Sequence, residues 1–329
     1  VNMEKKDTQS LPIVSFIIVY HNEDVDVLCR CIDSVLALSL SRSERELIIV
    51  DDGSDYSPIN ELLRYGDDII YVRKPHGGKS TARNLGISVS VGNYIQFVDA
   101  ADSLVPSAYE RCLDVVRYNS PDAVLFDICQ SLQANDVNLS EPLGPVGGAE
   151  YMRHTNLRAR ASGYVFSRAI LHDLRFTPYI INEDEEFTPQ LILRCERLFH
   201  LGVKAYCISE QGTKLSPSND IKFNLRTLDD AEQVIMRLFR LSERLPHADR
   251  IALRRKVDQL TMDYLLNTIY TTRSLKNLRE RISRLEPLGL FPLPDRSYTK
   301  RYSLYRRMLN NGIGQRLLIV APQFGRFAV

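Results

Sequence analysis

The chain has no apolar run that could cross a bilayer: the longest uninterrupted stretch, from Leu317 to Ala321, has five residues, against roughly 18 or more needed for a span. Nor do residues 1–11, where Glu4, Lys5, Lys6 and Asp7 precede Leu11, contain the apolar segment of a secretory leader. The six cysteines, at 29, 31, 112, 129, 195 and 207, form no C-x-x-C pair and no zinc-type spacing with histidine, which argues against a disulfide or zinc scaffold. They read as reduced, mostly buried thiols of a cytoplasmic protein, either soluble or peripheral at the inner face of a membrane. Internal repeats and recognised nucleic-acid-binding modules are also lacking, so no nucleic-acid partner is expected.

Net charge is lacking only in total. The formal value is +1, yet residues 1–220 hold 21 basic and 31 acidic side chains, a net of −10, while 221–329 hold 21 and 10, a net of +11. For 329 residues at 44% hydrophobic and 25% charged, the prior is a globular chain of about two domains. Residues 1–220 are expected to form one and 221–329 the other.

The first hundred residues alternate strands and helices. Ile13 to Tyr20 is apolar except for Ser15, as a strand buried on both faces requires. Asp24 can cap a helix in which Val27, Leu28, Cys31, Val35 and Leu38 recur at helical spacing. Strands are predicted at 46–50, 69–73, 94–98 and 123–127, with helices from about 57, at 80–89 and at 106–118. The Pro-, Gly- and Asn-rich stretch 133–148 reads as a loop or insertion. From about 221 the pattern is helical. One apolar stripe runs through Leu228, Ala231, Ile235, Leu238 and Leu245, and a second through Leu275, Leu278, Ile282 and Leu285.

Three carboxylate groups stand out: Asp51-Asp52, Asp99 with Asp102, and Glu183-Asp184-Glu185-Glu186. The first two directly follow apolar strands, which brings them to one edge of a parallel sheet, where α/β folds bind ligands. Converging carboxylates there repel one another unless cations or hydrogen-bond donors compensate. Two plainer readings stand beside this one. Asp-Asp-Gly-Ser is also a turn-forming string, and an acidic run also suits a solvated helix N-terminus. Between the first two groups lies His76-Gly77-Gly78-Lys79-Ser80-Thr81-Ala82-Arg83-Asn84. It is not a P-loop, because position 73 is arginine where that motif needs glycine. A glycine turn leading into a helix start, with Lys79 and Arg83, does suit a diphosphate.

Taken in order, Val14 to Glu23, Ile48 to Ser54, Gly78 to Asn84, Gly92 to Asp102 with Pro106, and Glu183 to Phe187 resemble the family 2 glycosyltransferases over roughly residues 12–210. The resemblance implies a GT-A fold, a Rossmann-like mixed sheet flanked by helices; the α-helical C-terminal region, which it does not cover, is expected from the periodicity after 221. It implies an inverting transfer of a sugar from a nucleotide-sugar donor, UDP-linked, to a glycan or lipid-linked acceptor. Tyr20, Asn22, Glu23, Asp51, Asp52 and Gly53 would lie beside the nucleoside, and Lys79 and Arg83 beside the diphosphate. Asp99 would lie near the ribose and a metal, Mn²⁺ or Mg²⁺, and Asp184, flanked by Glu183, would be the general base. Position 101 departs from the family's Asp-x-Asp-Asp, because Ala101 cannot coordinate a cation. Three possibilities follow: Asp102 or a water takes its place beside Asp99, cationic side chains replace the metal, or the chain is a catalytically impaired nucleotide-sugar-binding or scaffold protein.

Lys300, Arg301, Arg306 and Arg307 interleave with Tyr302, Leu304, Tyr305, Met308 and Leu309 as an amphipathic helix. That pattern suits an anionic membrane surface or, equally, a bundle helix with a solvated basic face.

Overall fold

The computed structural model describes residues 11–130, 141–209, 220–296 and 298–320. The residues before Leu11, and 131–140 of the expected loop, lie outside this set. The chain divides into two compact units: Val1–Gly147, Ala159–Tyr179 and Gln190–Leu215 form one, and Gly148–Arg158, Ile180–Pro189 and Ser216–Val329 the other.

The first unit is built on a nine-stranded mixed sheet. Its strands are β1 (Val14–Tyr20), β2 (Arg45–Asp51), β3 (Ile70–Arg73), β4 (Tyr94–Asp99), β5 (Ser103–Leu104), β6 (Ala123–Cys129), β7 (Leu143–Val146), β8 (Tyr164–Ser167) and β9 (Leu198–Cys207). The order is β3-β2-β1-β4-β8-β6-β9-β5, with β7 also paired to β9. β1 to β4 are mutually parallel, whereas β8 runs antiparallel to both β4 and β6. The Pro- and Gly-rich stretch read as a loop therefore contains a strand, because β9 offers Leu143 and Val146 backbone partners at His200 and Leu198.

The helices of this unit are α1 (Val25–Leu36), the single turn α2 (Ile59–Leu62), α3 (Lys79–Val89) and α4 (Pro106–Asn119). β1 is buried along its whole length, so its alternate side chains feed two layers. Phe16 and Ile18 join Leu28, Ile32 and Val35 of α1 and Tyr109 and Leu113 of α4 in one core. Ile17 faces α3, where a Cβ at Gly86 would lie 2.3 Å from its Cγ2. All six cysteines are buried and free.

The second unit holds α5 (Gly148–His154), the first turns of α6 (Glu183–Leu193), α7 (Ile221–Ser242), α8 (His247–Thr272), α9 (Leu275–Leu285), α10 (Lys300–Leu309) and α11 (Gly312–Val320). The stripe expected on α7 turns inward at Leu228, Ile235 and Leu238, and that on α9 at Leu278, Ile282 and Leu285. Asp220 and Ser274 cap the two helices through their side chains.

Candidate functional site

Parallel register sets the site. Tyr20 pairs with Asp51, Val19 with Asp99, and Asp51 with Arg73, so four strands end together at one edge of the first unit. Beyond β1 the chain turns at Asn22, which holds a left-handed φ of 62°. Its amide donates to Ser54 Oγ, and its side chain exchanges hydrogen bonds with Asp55. Gly53 also needs a positive φ, +71°, and a Cβ there would stand 2.5 Å from the His76 nitrogen. The glycine lets the β2 turn and the 76–78 turn approach.

Asp51 is fully buried, taking hydrogen bonds from Tyr71 at 2.6 Å and from the Ser54 amide at 2.8 Å. Burial pushes its carboxyl up, but these donors and the Arg73 charge more than offset that and hold it below the ordinary range. Asp52 is the organiser of the glycine turn. Its Oδ1 takes Lys74 Nζ and the Gly77 amide, and its Oδ2 the Gly78 amide at 2.7 Å. His76 lies 2.9 Å from the same carboxylate and stacks on His21, ring centres 4.2 Å apart. Lys74 lies outside the residues singled out from sequence. It belongs to no motif, and only the β2–β3 register brings it back over Asp52.

Asp99 faces Lys79 Nζ at 3.2 Å and Arg83 Nη2 at 3.5 Å. Burial opposes its charge, but Lys79, Arg83 and Arg160 overturn that and hold the carboxyl well below the usual carboxylate range. Arg83 is 2% exposed and lies against the Phe97 and Phe176 rings, so its cation is fixed in place. Asp102 points the other way chemically. It is buried, and its two oxygens accept from Tyr206 Oη at 2.9 Å and the Ser209 amide at 3.1 Å. Burial and the nearby Asp99 charge push its carboxyl up to about 6. Tyr206 also receives the Asp99 amide at 3.0 Å and so ties the two aspartates together. Like Lys74, it was not foreseen, because its role follows from the pairing of Leu104 with Tyr206 across the sheet.

This arrangement does not fit a divalent cation held by Asp99 and Asp102. Position 101 presents a methyl group, Asp102 spends both oxygens inside the protein, and Asp99 is ion-paired, whereas Mg²⁺ demands near-ideal octahedral oxygen coordination. His21, Asp52 and His76 bring donor atoms within 4.8 Å of one another. The two rings, however, are stacked with only 23° between their planes, so their in-plane lone pairs run side by side rather than converging. The Lys74 ammonium shares the same carboxylate.

Beside β1 a cavity of about 460 Å³ is lined by Tyr20, Asn22, Glu23, Tyr56, Ser57 and Glu61, among others. Glu23 accepts from the His21 amide at 2.6 Å, and burial raises its carboxyl above the ordinary value.

Glu183 and Asp184 belong to the second unit, at the start of α6 just after Asn182, whose φ is 71°. The next two carboxylates are committed to cations. Lys256 of α8, itself 5% exposed, lies 2.8 Å from Glu185, and Arg237 of α7 grips Glu186. The Ile181 amide donates to Asp230 of α7 at 3.0 Å. Asp263 of α8, half-buried and near the Glu185 charge, has its carboxyl pushed up to about 7 by desolvation despite Lys256.

Residues 15–152 match the model of Glycosyl transferase family 2. The chain is 32% identical over 123 residues to an uncharacterized glycosyltransferase, EpsJ, of Bacillus subtilis, covering 35% of this chain and 33% of that one. It is 28% identical over 117 residues to a poly(ribitol-phosphate) beta-glucosyltransferase of Bacillus spizizenii, covering 34% of this chain and 18% of that one. The chain thus spans less than half the length of the curated relatives it matches. In fold it is similar to S. aureus TarS 1–349, solved in complex with UDP-GlcNAc, with a TM-score of 0.66 at 16% identity, over 96% of this chain and 93% of that one. The GT-A-like architecture, the motif-bearing strand ends and the matched segment agree: residues 15–152 are similar to glycosyl transferase family 2.

Proposed function

We propose that the protein is an inverting glycosyltransferase that moves a sugar from a UDP-linked donor to a hydroxyl of a glycan or lipid-linked polymer. The observation that carries this reading is the strand-end cluster of Asp99, Lys79 and Arg83 within a family 2 segment. The name of the poly(ribitol-phosphate) relative and the UDP-GlcNAc bound by TarS support the choice of acceptor and donor classes.

In this reading the nucleoside lies along Tyr20 to Glu23 and Asp51 to Gly53, with Asp52 holding the 76–78 turn in shape. The diphosphate replaces Asp99 as the partner of Lys79 and Arg83. As the sugar leaves, negative charge gathers on the diphosphate, and fixed cations in a partly dry site stabilise it strongly. Asp184 takes the proton of the acceptor hydroxyl. That oxygen attacks the anomeric carbon from the face opposite the leaving group, and the bond electrons depart with the nucleoside diphosphate. A positioned base contributes about 10²-fold to 10⁴-fold. The likeness of Glu183-Asp184-Glu185-Glu186-Phe187 to the acceptor-site motif of family 2 supports Asp184, flanked by Glu183, for this task. The donor is held without a metal bridge between Asp99 and Asp102.

A second reading, a nucleotide-sugar-binding protein without turnover, is favoured by one observation, the inward commitment of both Asp102 oxygens beside Ala101. Calorimetry with UDP-GlcNAc, UDP-glucose, UDP-galactose and GDP-mannose, followed by transfer to poly(ribitol phosphate), separates the two. Binding with transfer that Asp184→Asn abolishes supports the enzyme. Binding with no transfer by the native chain supports the second reading, and full transfer by Asp184→Asn removes the base assignment.

A further inference from the structure

The end of the second unit carries charge of one sign. Between positions 300 and 320 there are five basic residues, Lys300, Arg301, Arg306, Arg307 and Arg316, and no acidic one. Arg306 is paired with Asp295 at 2.8 Å, while Lys300, Arg301, Arg307 and Arg316 are exposed. The apolar pattern has two sides. Tyr302, Tyr305, Leu309 and Leu318 face inward and are buried. On α11, Ile313, Leu317 and Val320 recur at four and three residues, one helical face, and are 69%, 57% and 83% exposed. Leu304 of α10 is 55% exposed between Lys300 and Arg307 on a like stripe.

These side chains stand on a fixed scaffold. Gly314 lies so close to the Met308 backbone that a Cβ would come within 2.4 Å of its carbonyl oxygen. Gln315 donates to the Leu309 carbonyl, and Asn310 bonds both backbone groups of Leu293. α10 and α11 are thus one packed hairpin whose outer surface is apolar and basic. Contiguous exposed apolar side chains on a soluble fold mark interaction surfaces. Here the charge decides the partner. A second copy of the same hairpin would bring basic residues against basic residues, and a soluble polyanion would leave Ile313, Leu317 and Val320 in water.

We propose that the α10–α11 hairpin docks the protein on an anionic lipid bilayer, with Ile313, Leu317 and Val320 entering the headgroup boundary and Arg301, Arg307 and Arg316 meeting lipid phosphates. Short amphipathic helices bind in this manner when apolar burial and electrostatic attraction add. Among the described residues no helix is long and apolar enough to cross the membrane, so the contact is peripheral. It does not depend on the chemistry proposed for the first unit.

Co-flotation of the full chain with vesicles tests it, using phosphatidylcholine alone or mixed with phosphatidylglycerol. The expected result is binding to the anionic vesicles only, weakened as salt rises from about 0.05 M to about 0.5 M. Arg301→Gln with Arg307→Gln and Arg316→Gln should weaken it about 10²-fold, about 5-fold per residue. Ile313→Asn with Leu317→Asn and Val320→Asn should abolish it at the higher salt. All six positions are exposed, and an unchanged Tm verifies the fold. Absence of binding to anionic vesicles at low salt overturns the proposal. So does native binding by the apolar triple variant with displacement by inorganic polyphosphate, which assigns the surface to a soluble polyanion. Concentration-dependent dimers lost in that variant, without vesicle binding, would assign it to a second copy.

Discussion

Arg237 grips Glu186 through both carboxylate oxygens, Nε to Oε1 at 2.6 Å and Nη2 to Oε2 at 3.1 Å. With Lys256 on Glu185 and Asp230 on the Ile181 amide, helices α7 and α8 hold residues 181–186 at three points. The segment between these points carries Asp184.

This clamp predicts a separable effect on rate. Arg237→Met leaves the nearly buried Glu186 without its cation and should cost about 2–4 kcal/mol in stability. Glu186→Gln with Arg237→Gln should recover most of that loss, because no charge is left stranded. If the clamp positions Asp184, the double variant should still turn over about tenfold more slowly with donor KM unchanged, since small misplacements of a reacting group are costly. A native kcat in the stable double variant, with Asp184→Asn inactive, would assign the pair to stability alone.

Asp52 is predicted to act through the glycine turn. Asp52→Ala removes the acceptor of the Gly77 and Gly78 amides and the partner of Lys74. Stability should fall by about 1–3 kcal/mol, and amide exchange should rise across residues 76–79. Lys74→Met should lower stability in the same direction but less. Unchanged exchange in Asp52→Ala would detach Asp52 from the turn.

Donor binding should be carried by cations of the chain. Titration of UDP-GlcNAc in EDTA and in Mn²⁺ is expected to give affinities within about twofold of each other, whereas Lys79→Met should lose roughly tenfold, the size of one charge-assisted contact. A large gain with Mn²⁺ would point to a chelate that forms only around the donor.

Asp102 should give stability a defined pH slope. Its folded value of about 6 lies above the ordinary 3.8, so between these values the folded state binds more protons than the unfolded state, and stability falls as pH rises through the window. The full contribution is on the order of 3 kcal/mol, lost above pH 6. Asp102→Asn keeps an acceptor for the Ser209 amide and a donor for Tyr206, and it should flatten this slope while raising stability at pH 7. Asp99, held low by Lys79, Arg83 and Arg160, contributes with the opposite sign, losing its stabilisation as pH falls. Parallel melts of both asparagine variants from pH 2 to 7 distinguish the two, because Asp102 acts above the ordinary 3.8 and Asp99 below it.

Much of the first unit was legible because the interiors of β1, β2 and β4 are apolar runs broken only by Ser15 and Gln96, and a strand buried on both faces needs little else to declare itself. Their acidic ends then follow from parallel pairing, which aligns Tyr20, Asp51 and Asp99 at one edge. The later strands were harder. β5 has two residues and β7 lies in a Pro- and Gly-rich stretch, and each becomes a strand only because β9 supplies partners. Likewise the basic residues of α10 were visible as an amphipathic pattern, whereas the exposed stripe on α11 required knowing which side of that helix packs.

The sequence by itself determined the chemistry at hand: carboxylates after apolar strands, a cationic glycine turn, an acidic run at a helix start, and alanine at position 101. Tertiary structure decided how those charges are spent. Lys74 reaches Asp52 across 22 residues and Tyr206 reaches Asp102 across 104, and Arg237 and Lys256 reach Glu186 and Glu185 from separate helices. A partially buried charge takes the partner that the packed chain brings within about 3 Å, and that choice rests on strand register and helix contacts, which no local pattern of residues encodes.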